Sequence, residues 1–276
     1  LGGKKISVVL IDEEGIIIKT ALQPTLASRP RREILDTIEE VIEELSVKKI
    51  QGVGIGHPGF SMNHKLTSIH NIPDFEGMDI VKEIGKRVGG NVYAENDANC
   101  FTVAEHAYGA VKRYSNAFGI IIGSGIGGGI IIDNKLYRGT HGGAGEVGFM
   151  HLGDKTFEQY GSGKYIMETY WELGGSRNHE TAAEVFNSKS KIAKRLTKEV
   201  FEYYAKGFAA IINILDPEAI VIGGGVSKSY DLFIHPLKDS LSQYAPNANT
   251  DRIAILKNKL GDDSGVIGAA RLVFEG

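Results

Sequence analysis

The chain has 276 residues, 42% hydrophobic and 24% charged, enough for one large domain or two lobes around a real core. A net charge of -3 argues against a nucleic-acid or membrane-surface partner, and no apolar run approaches the roughly 20 residues needed to span a bilayer. The single cysteine, Cys100, excludes an intramolecular disulfide and a zinc site built on several thiolates, and a reducing cytoplasm is the expected compartment.

In chain order, "KISVVLID" (5–12) is an apolar, β-branched run that predicts a buried strand, followed by an "EEG" turn and a second strand, "IIIKT". Pro30 opens a helix through "REILDTIEEVIEELSVKK", with Ile34, Leu35, Ile38, Val41, Ile42 and Leu45 at helical spacing. "IQGVGIGHPG" predicts a strand ending in a Gly/Pro turn. "MDIVKEIGKRVGG" predicts a short helix stopped by glycines. "NVYAENDAN" predicts a strand whose polar end runs into the helix "CFTVAEHAYGA".

The second half takes up the same order. "NAFGIIIGSGIGGGIIIDNKLYRG" predicts strand, glycine turn, strand, Asp-Asn turn and strand. A long helix near 190–215 is ended by Asp216-Pro217. "AIVIGGGVS" is a strand entering a glycine turn, and a helix, the strand "RIAIL" and the helix "SGVIGAARLVFE" follow. The expected fold is therefore α/β, with two lobes of related topology and a cleft between them. The boundaries expected are 1–108 plus the C-terminal helix 264–276 for the smaller lobe, and 109–263 for the larger.

Glycine makes up 36 of the 276 residues, about 13% against a usual value of roughly 7%, and it clusters at predicted turns. "GSGIGG" (123–128) fits G-x-G-x-x-G, but a strand follows where a dinucleotide fold needs a helix, and no G-x-x-x-x-G-K-[ST] occurs. What remains is a hairpin with more glycine than a tight turn needs, which predicts close approach of backbone N–H groups to a ligand. "IGGGVS" (222–227), between strand and helix, is a second place for backbone to meet a nucleotide, and "GGKK" at the start is a third glycine turn.

Taken together, "LGGKKI", "GHPG", "ENDAN", "IIGSGIGGGIIIDNKLYRGTHGGAGEVG", "FEQYGSG" and "IVIGGGVS" are collinear and span nearly the whole chain. In this combination the sequence resembles the ROK family of sugar kinases and related repressors, in the actin-like ATPase superfamily. The resemblance implies two RNase H-like lobes, ATP and Mg²⁺ in the cleft, phosphoryl transfer to a sugar hydroxyl, and a homodimer. It places the general base at Asp97. Sugar contacts are implied at Gly59, Asn71, Asn96, Asp97, Glu146 and Glu158. Gly2, Gly3 and Lys4 are implied for one phosphate turn, Ser124 and Gly125 for the other, and Gly223, Gly224 and Gly225 for the adenosine.

Each of these residues also has an ordinary reading. Asp97 ahead of a helix is a typical N-cap, Asn71 sits in a turn before Pro73, Gly59 completes a Pro-Gly turn, and a glutamate on a helix is commonly solvated. The chain also departs from the family pattern. Where typical members read E-x-G-H, this chain reads "EVGF", with Phe149 in place of the histidine. "MHLGDKT" replaces a cysteine-rich loop, with Thr156 at its last cysteine, so no zinc is expected; His151 fits only after a two-residue shift. These changes are shared with zinc-free branches such as N-acetylmannosamine and β-glucoside kinases. "GGKK" replaces "GGTK", so Lys4 meets phosphate as a point charge. The family's Mg²⁺-associated aspartate falls ahead of Leu1, where a few further residues are expected. The alternatives are a sugar-binding regulator without catalysis, which carries an N-terminal DNA-binding domain, and a chaperone-like or cytoskeletal ATPase, which has no use for "ENDAN", Glu146 and Glu158.

Overall fold

A computed structural model of the protein describes residues 1–45, 50–69 and 71–275. Strands β1 (Lys5–Ile11) and β2 (Ile17–Pro24) form an antiparallel hairpin with Lys5 opposite Pro24, so the second strand is longer than "IIIKT" alone predicts. Helix α1 (Arg31–Glu44) follows, with Pro30 at its N-cap, and buries Ile34, Leu35, Ile38 and Val41 as the spacing predicts. Residues 46–49, the tail of the predicted helix, lie outside the described residues. Next come β3 (Gly52–His57), the small hairpin β4 (Phe60–Met62) and β5 (Lys65–Thr67), and α2 (Ile80–Val88). The Asp79 side chain caps α2 by accepting from the Lys82 N–H. Strand β6 (Asn91–Asn96) pairs in parallel with β3 and runs straight into α3 (Asp97–Ala107).

In the second half, β7 (Ala117–Ile122), β8 (Ile126–Ile132) and β9 (Lys135–Leu136) form an antiparallel meander. Helices α4 (Phe157–Gly161), α5 (Gly163–Glu172), α6 (Ala182–Asn187) and α7 (Lys191–Leu215) follow. The long helix α7 stops where Asp216 turns left-handed at φ 42°, ahead of Pro217. Strand β10 (Ala219–Gly223) is buried along its whole length, as a strand flanked by parallel neighbours should be. Helix α8 (Tyr230–Tyr244), β11 (Ala254–Lys257) and α9 (Ser264–Arg271) complete the order.

The two largest hydrophobic clusters among the described residues match the two halves. One gathers Ile34, Leu35, Leu66, Phe75 and Ile80; the other gathers Phe118, Phe157, Val200, Tyr204 and Phe208. Helices α3 and α9 pack against each other between them, and α9 also lies on β1 and β3. The contact is close enough that a Cβ on Gly54 would strike the Ala269 carbonyl, and one on Gly268 the Cys100 carbonyl. The halves differ in one respect that the sequence reading does not anticipate. The second half carries one five-stranded sheet in the order β11-β10-β7-β8-β9; the first carries three separate pairs, β1-β2, β3-β6 and β4-β5. In the second sheet, β7 joins its antiparallel partner β8 to its parallel partner β10. Among the described residues no strand stands between β1 and β3.

Candidate functional site

The site grows from the junction of β6 and α3. Asn96, not Asp97, is the N-cap: its Oδ1 accepts from the N–H of Ala98 at 2.8 Å and of Asn99 at 3.3 Å. The capping role that the sequence offers Asp97 thus belongs to its neighbour, and Asp97 becomes the first helical residue with its carboxylate released from that duty. Asp97 is exposed at the head of α3, beside a cavity bordered by β1 and β3, though protein surrounds it on most sides. That restricted solvation raises its pKa above the ordinary carboxylate value, opposed by backbone N–H groups at the helix start.

Asn96 also ties the site to its neighbour loop, because its Nδ2 donates to the Gly59 carbonyl at 2.9 Å. Gly59 has φ 75°, and a Cβ there would sit 2.7 Å from the Ser68 carbonyl, so this turn demands glycine. Asn71 is exposed and lies against the first glycine turn: a Cβ on Gly3 would come within 2.9 Å of Asn71. Glu146 and Glu158 reach the same region. The Glu146 pKa is raised by burial and then by the negative charges of Asp97 and Glu158. Glu158 has one oxygen engaged, since Oε2 accepts from the Ile126 N–H at 2.7 Å. It rides on α4, whose N-terminus Thr156 closes with a capping box to Gln159.

The glycine turns sort into two groups. None of the five hairpin glycines between 123 and 129 has a positive φ, so conformational freedom does not explain them. Most make room for packing. Cβ atoms on Gly127 and Gly129 would meet Ala98 and Thr102 of α3, and one on Gly128 would meet Phe118. Gly123 alone faces open space, beside exposed Ser124. In the third turn, Gly223 is set against Phe101, and Gly224, at φ 80°, lies against the backbone of Ile122; only Gly225 is open. Lys4 is exposed, in the turn closed by the Gly2 N–H and the Lys5 carbonyl.

Three groups at the site go unassigned by the sequence. Glu95 sits inside "ENDAN" and accepts from the Asn96 N–H and from Asn99 Nδ2, both at 2.9 Å, while Arg138 from the "LYRG" stretch pairs with its other oxygen at 2.5 Å. His57 of "GHPG" is buried, with Nε2 unpartnered and its pKa lowered chiefly by that burial. The Leu1 nitrogen donates to the Gly56 carbonyl at 2.8 Å, deep in the protein near Asp97. Among the described residues no group of three or more His, Cys, Asp or Glu is placed to hold a metal ion, and no helix is long and apolar enough to cross a membrane.

Comparison with known proteins gives this arrangement its context. The family model described as "ROK family" matches residues 1–275. A glucokinase from Thermotoga maritima is 28% identical over 100% of this chain and 96% of its own length. An N-acetyl-D-glucosamine kinase from Histophilus somni is 30% identical over 99% of this chain and 96% of its own length. Among solved structures, a ROK family glucokinase from Streptomyces griseus in complex with glucose and AMPPNP superposes with a TM-score of 0.83 at 28% identity, covering 100% of this chain and 98% of that one.

Proposed function

The chain belongs to the ROK family, and on that premise we propose that it is an ATP-dependent sugar kinase with Asp97 as its general base. Its fold is that of the actin-like sugar kinases. The glucokinases and N-acetylglucosamine kinases among its relatives support a hexose or N-acetylhexosamine as acceptor. The observation that carries the role of Asp97 is the cap on α3: Asn96 satisfies the helix N-terminus, so the adjacent carboxylate is free to face the cleft.

In this reading a sugar hydroxyl is held against Asp97. As its oxygen bonds to the γ-phosphorus of ATP, its proton passes to the carboxylate, the bond from γ-phosphorus to the bridging oxygen breaks, and ADP leaves. The raised pKa of Asp97 moves its proton affinity toward the working pH, which suits a base. Glu146, the free oxygen of Glu158, Asn71 and the second N–H of Asn96 accept from or donate to the other hydroxyls, and Gly59 lets backbone come close. The open faces at Gly123 and Gly225 and the exposed Ser124 leave room for the triphosphate, with Gly125, Gly2, Gly3 and Lys4 beside the phosphates and Gly223 and Gly224 shaping the adenosine side. Mg²⁺ supplies charge neutralisation when it accompanies the nucleotide. Closure of the 1–108 and 264–276 lobe onto the 109–263 lobe excludes water from the transfer. A homodimer in the cytoplasm completes the proposal.

A coupled assay of ADP release with ATP and glucose, mannose, fructose, N-acetylmannosamine, N-acetylglucosamine or β-glucosides tests the reading. Turnover with at least one of these sugars, absent in Asp97→Asn, is expected. Full turnover by Asp97→Asn overturns the assignment of the base, and sugar binding without turnover by the native chain overturns the kinase.

A further inference from the structure

The short 3₁₀ turn Val147–Phe149 sorts the side chains of "EVGFM" onto distinct sides. Its bonds run three residues back: the Phe149 N–H donates to the Glu146 carbonyl at 3.2 Å, and the Met150 N–H to the Val147 carbonyl at 3.1 Å. Residues three apart in such a turn stand one above the other. Val147 and Met150 both pack on the large core of the second half. Gly148 is pressed onto β8, where a Cβ would strike the Ile126 carbonyl. Glu146 and Phe149 therefore share the remaining side. Glu146 lies close enough to Asp97 and Glu158 for their charges to raise its pKa, after burial. Phe149 thus stands beside the three carboxylates of the candidate site.

Two further features set this ring apart. Of the eleven phenylalanines in the chain, all among the described residues, only Phe149 is exposed, at 70%. Its backbone is also held. Ile126, whose carbonyl Gly148 abuts, donates its N–H to Glu158 Oε2 at 2.7 Å, so one residue of β8 fixes both the Phe149 turn and Glu158. A lone apolar side chain on a surface is ordinary, but one mounted on a fixed turn among carboxylates has a chemical consequence. A phenyl ring neither donates nor accepts a conventional hydrogen bond. A hydroxyl laid against it gives up water and gains no partner, whereas a C–H or methyl group gains buried apolar area and the attraction of the ring face.

We propose that Phe149 is a specificity-determining residue that packs against an apolar substituent of the acceptor sugar. The preferred acceptors are then hexoses carrying an N-acyl group or an apolar aglycone, in place of unsubstituted hexoses. The inference rests on the sugar-kinase reading for the presence of a sugar. The carboxylates take hydroxyls, and the ring takes the part of the ligand that has none; an acyl methyl and an aglycone offer it the same chemistry. One apolar group against a pocket wall discriminates by about 10- to 200-fold, and a ring open to solvent on its far side belongs at the low end. The contact is the same before and during phosphoryl transfer, so the effect falls on sugar affinity and KM and leaves kcat near native.

The experiment is titration calorimetry, with a non-hydrolysable ATP analogue present, on three pairs of sugars: glucose with N-acetylglucosamine, mannose with N-acetylmannosamine, and glucose with phenyl β-glucoside. The native chain is expected to bind the substituted member of at least one pair about tenfold more tightly. Phe149→Ala should bring that ratio to within about threefold of unity, Phe149→Leu should keep most of it, and Phe149→His, which restores a donor and an acceptor, should tip it toward the unsubstituted sugar. The melting midpoint of each variant should stay within about 1 °C of native, because the ring is exposed. A preference confined to the N-acetyl pairs assigns the ring to an acyl group, and one confined to the glucoside assigns it to an aglycone; either supports the proposal. Absence of any preference in the native chain overturns it, as does an equal loss for both members of a pair in Phe149→Ala. The coupled assay of ADP release separates this from the kinase reading. A Phe149-dependent preference without turnover ends the kinase reading alone, and turnover with a ratio that Phe149→Ala leaves unchanged ends this proposal alone.

Discussion

Arg138 places its Nε 2.5 Å from Glu95 Oε2, joining the loop after β9 to the end of β6. The Glu95 side chain is only 10% exposed and its other oxygen holds Asn96 and Asn99, so this carboxylate organises the strand-to-helix junction that presents Asp97. The stretch that Arg138 anchors continues to Glu146. One ion pair therefore ties together the segments that lead to Asp97 and to Glu146, two of the three carboxylates of the candidate site.

Arg138→Gln is accordingly expected to cost about 1–2 kcal/mol of stability, a value discounted because the arginine is half exposed while its partner is not. Loosening the Glu146 loop should raise the KM for sugar by about three- to tenfold and disturb kcat less. Denaturant unfolding and steady-state kinetics check this, with Glu95→Gln and the double variant completing a cycle. Additive losses in that cycle would show that the pair is not coupled.

Asp97→Asn separates chemistry from binding. Loss of a general base is expected to lower kcat by about 10²–10⁴ while titration calorimetry still detects sugar and ATP. In the native protein a base must be ionised, and the Asp97 pKa is raised. Log kcat should therefore fall as pH drops, with its midpoint above the ordinary carboxylate range. A pH profile flat down to pH 4 would place the base elsewhere. Because the folded form holds its proton more tightly than an unfolded chain, ionising Asp97 works against folding as pH rises. Its replacement by Asn should leave the melting midpoint at pH 7 unchanged or slightly higher, which also shows that lost activity is not lost structure.

The sequence makes most of the order of elements legible, because strands and helices here carry strong periodicity: the 3.6-residue spacing of α1 and α7 and the unbroken apolar run of β10 each correspond to an observed element. What it does not reveal is the division of labour between adjacent residues. "ND" at 96–97 presents two competent caps, and only backbone geometry decides that Asn96 takes the role. The glycines of 123–129 read as a ligand cradle, yet three of them are small because α3 crosses the hairpin or Phe118 lies beneath it, a contact with no local signature. Glu95 and Arg138 are 43 residues apart, and nothing in the chain's periodicity links them.

That distinction among glycines has a measurable consequence. A Cβ on Gly129 would collide with Thr102, inside a packed interface, so Gly129→Ala should cost about 1–3 kcal/mol. Gly123 has nothing within 4 Å and no positive φ, so Gly123→Ala should leave stability within about 0.5 kcal/mol of the native value. If this open face receives phosphate, the same variant should raise the KM for ATP. Equal destabilisation by both substitutions, measured in urea, would show that the hairpin tip is packed as tightly as its stem.

Glu105 is the last link between the site and the rest of the fold. It is fully buried on α3, eight residues after Asp97, and it accepts from the N–H groups of Ala110, Lys259 and Leu260 and from the Ser264 hydroxyl at the start of α9. Four donors converging on one carboxylate fix α9 against α3, the same α9 that lies over β1 and β3. In Glu105→Gln one acceptor oxygen becomes an NH₂ group facing those donors, and the expected loss is about 2–3 kcal/mol. The loss should appear as faster amide exchange in α9 together with a lower unfolding midpoint. Below that midpoint the KM values should stay near native, because Glu105 touches neither the hairpin tip nor the carboxylates around Asp97. This is the reverse of the pattern expected for Asp97→Asn, so the two variants measured side by side distinguish a residue that holds α3 in place from one that uses its position.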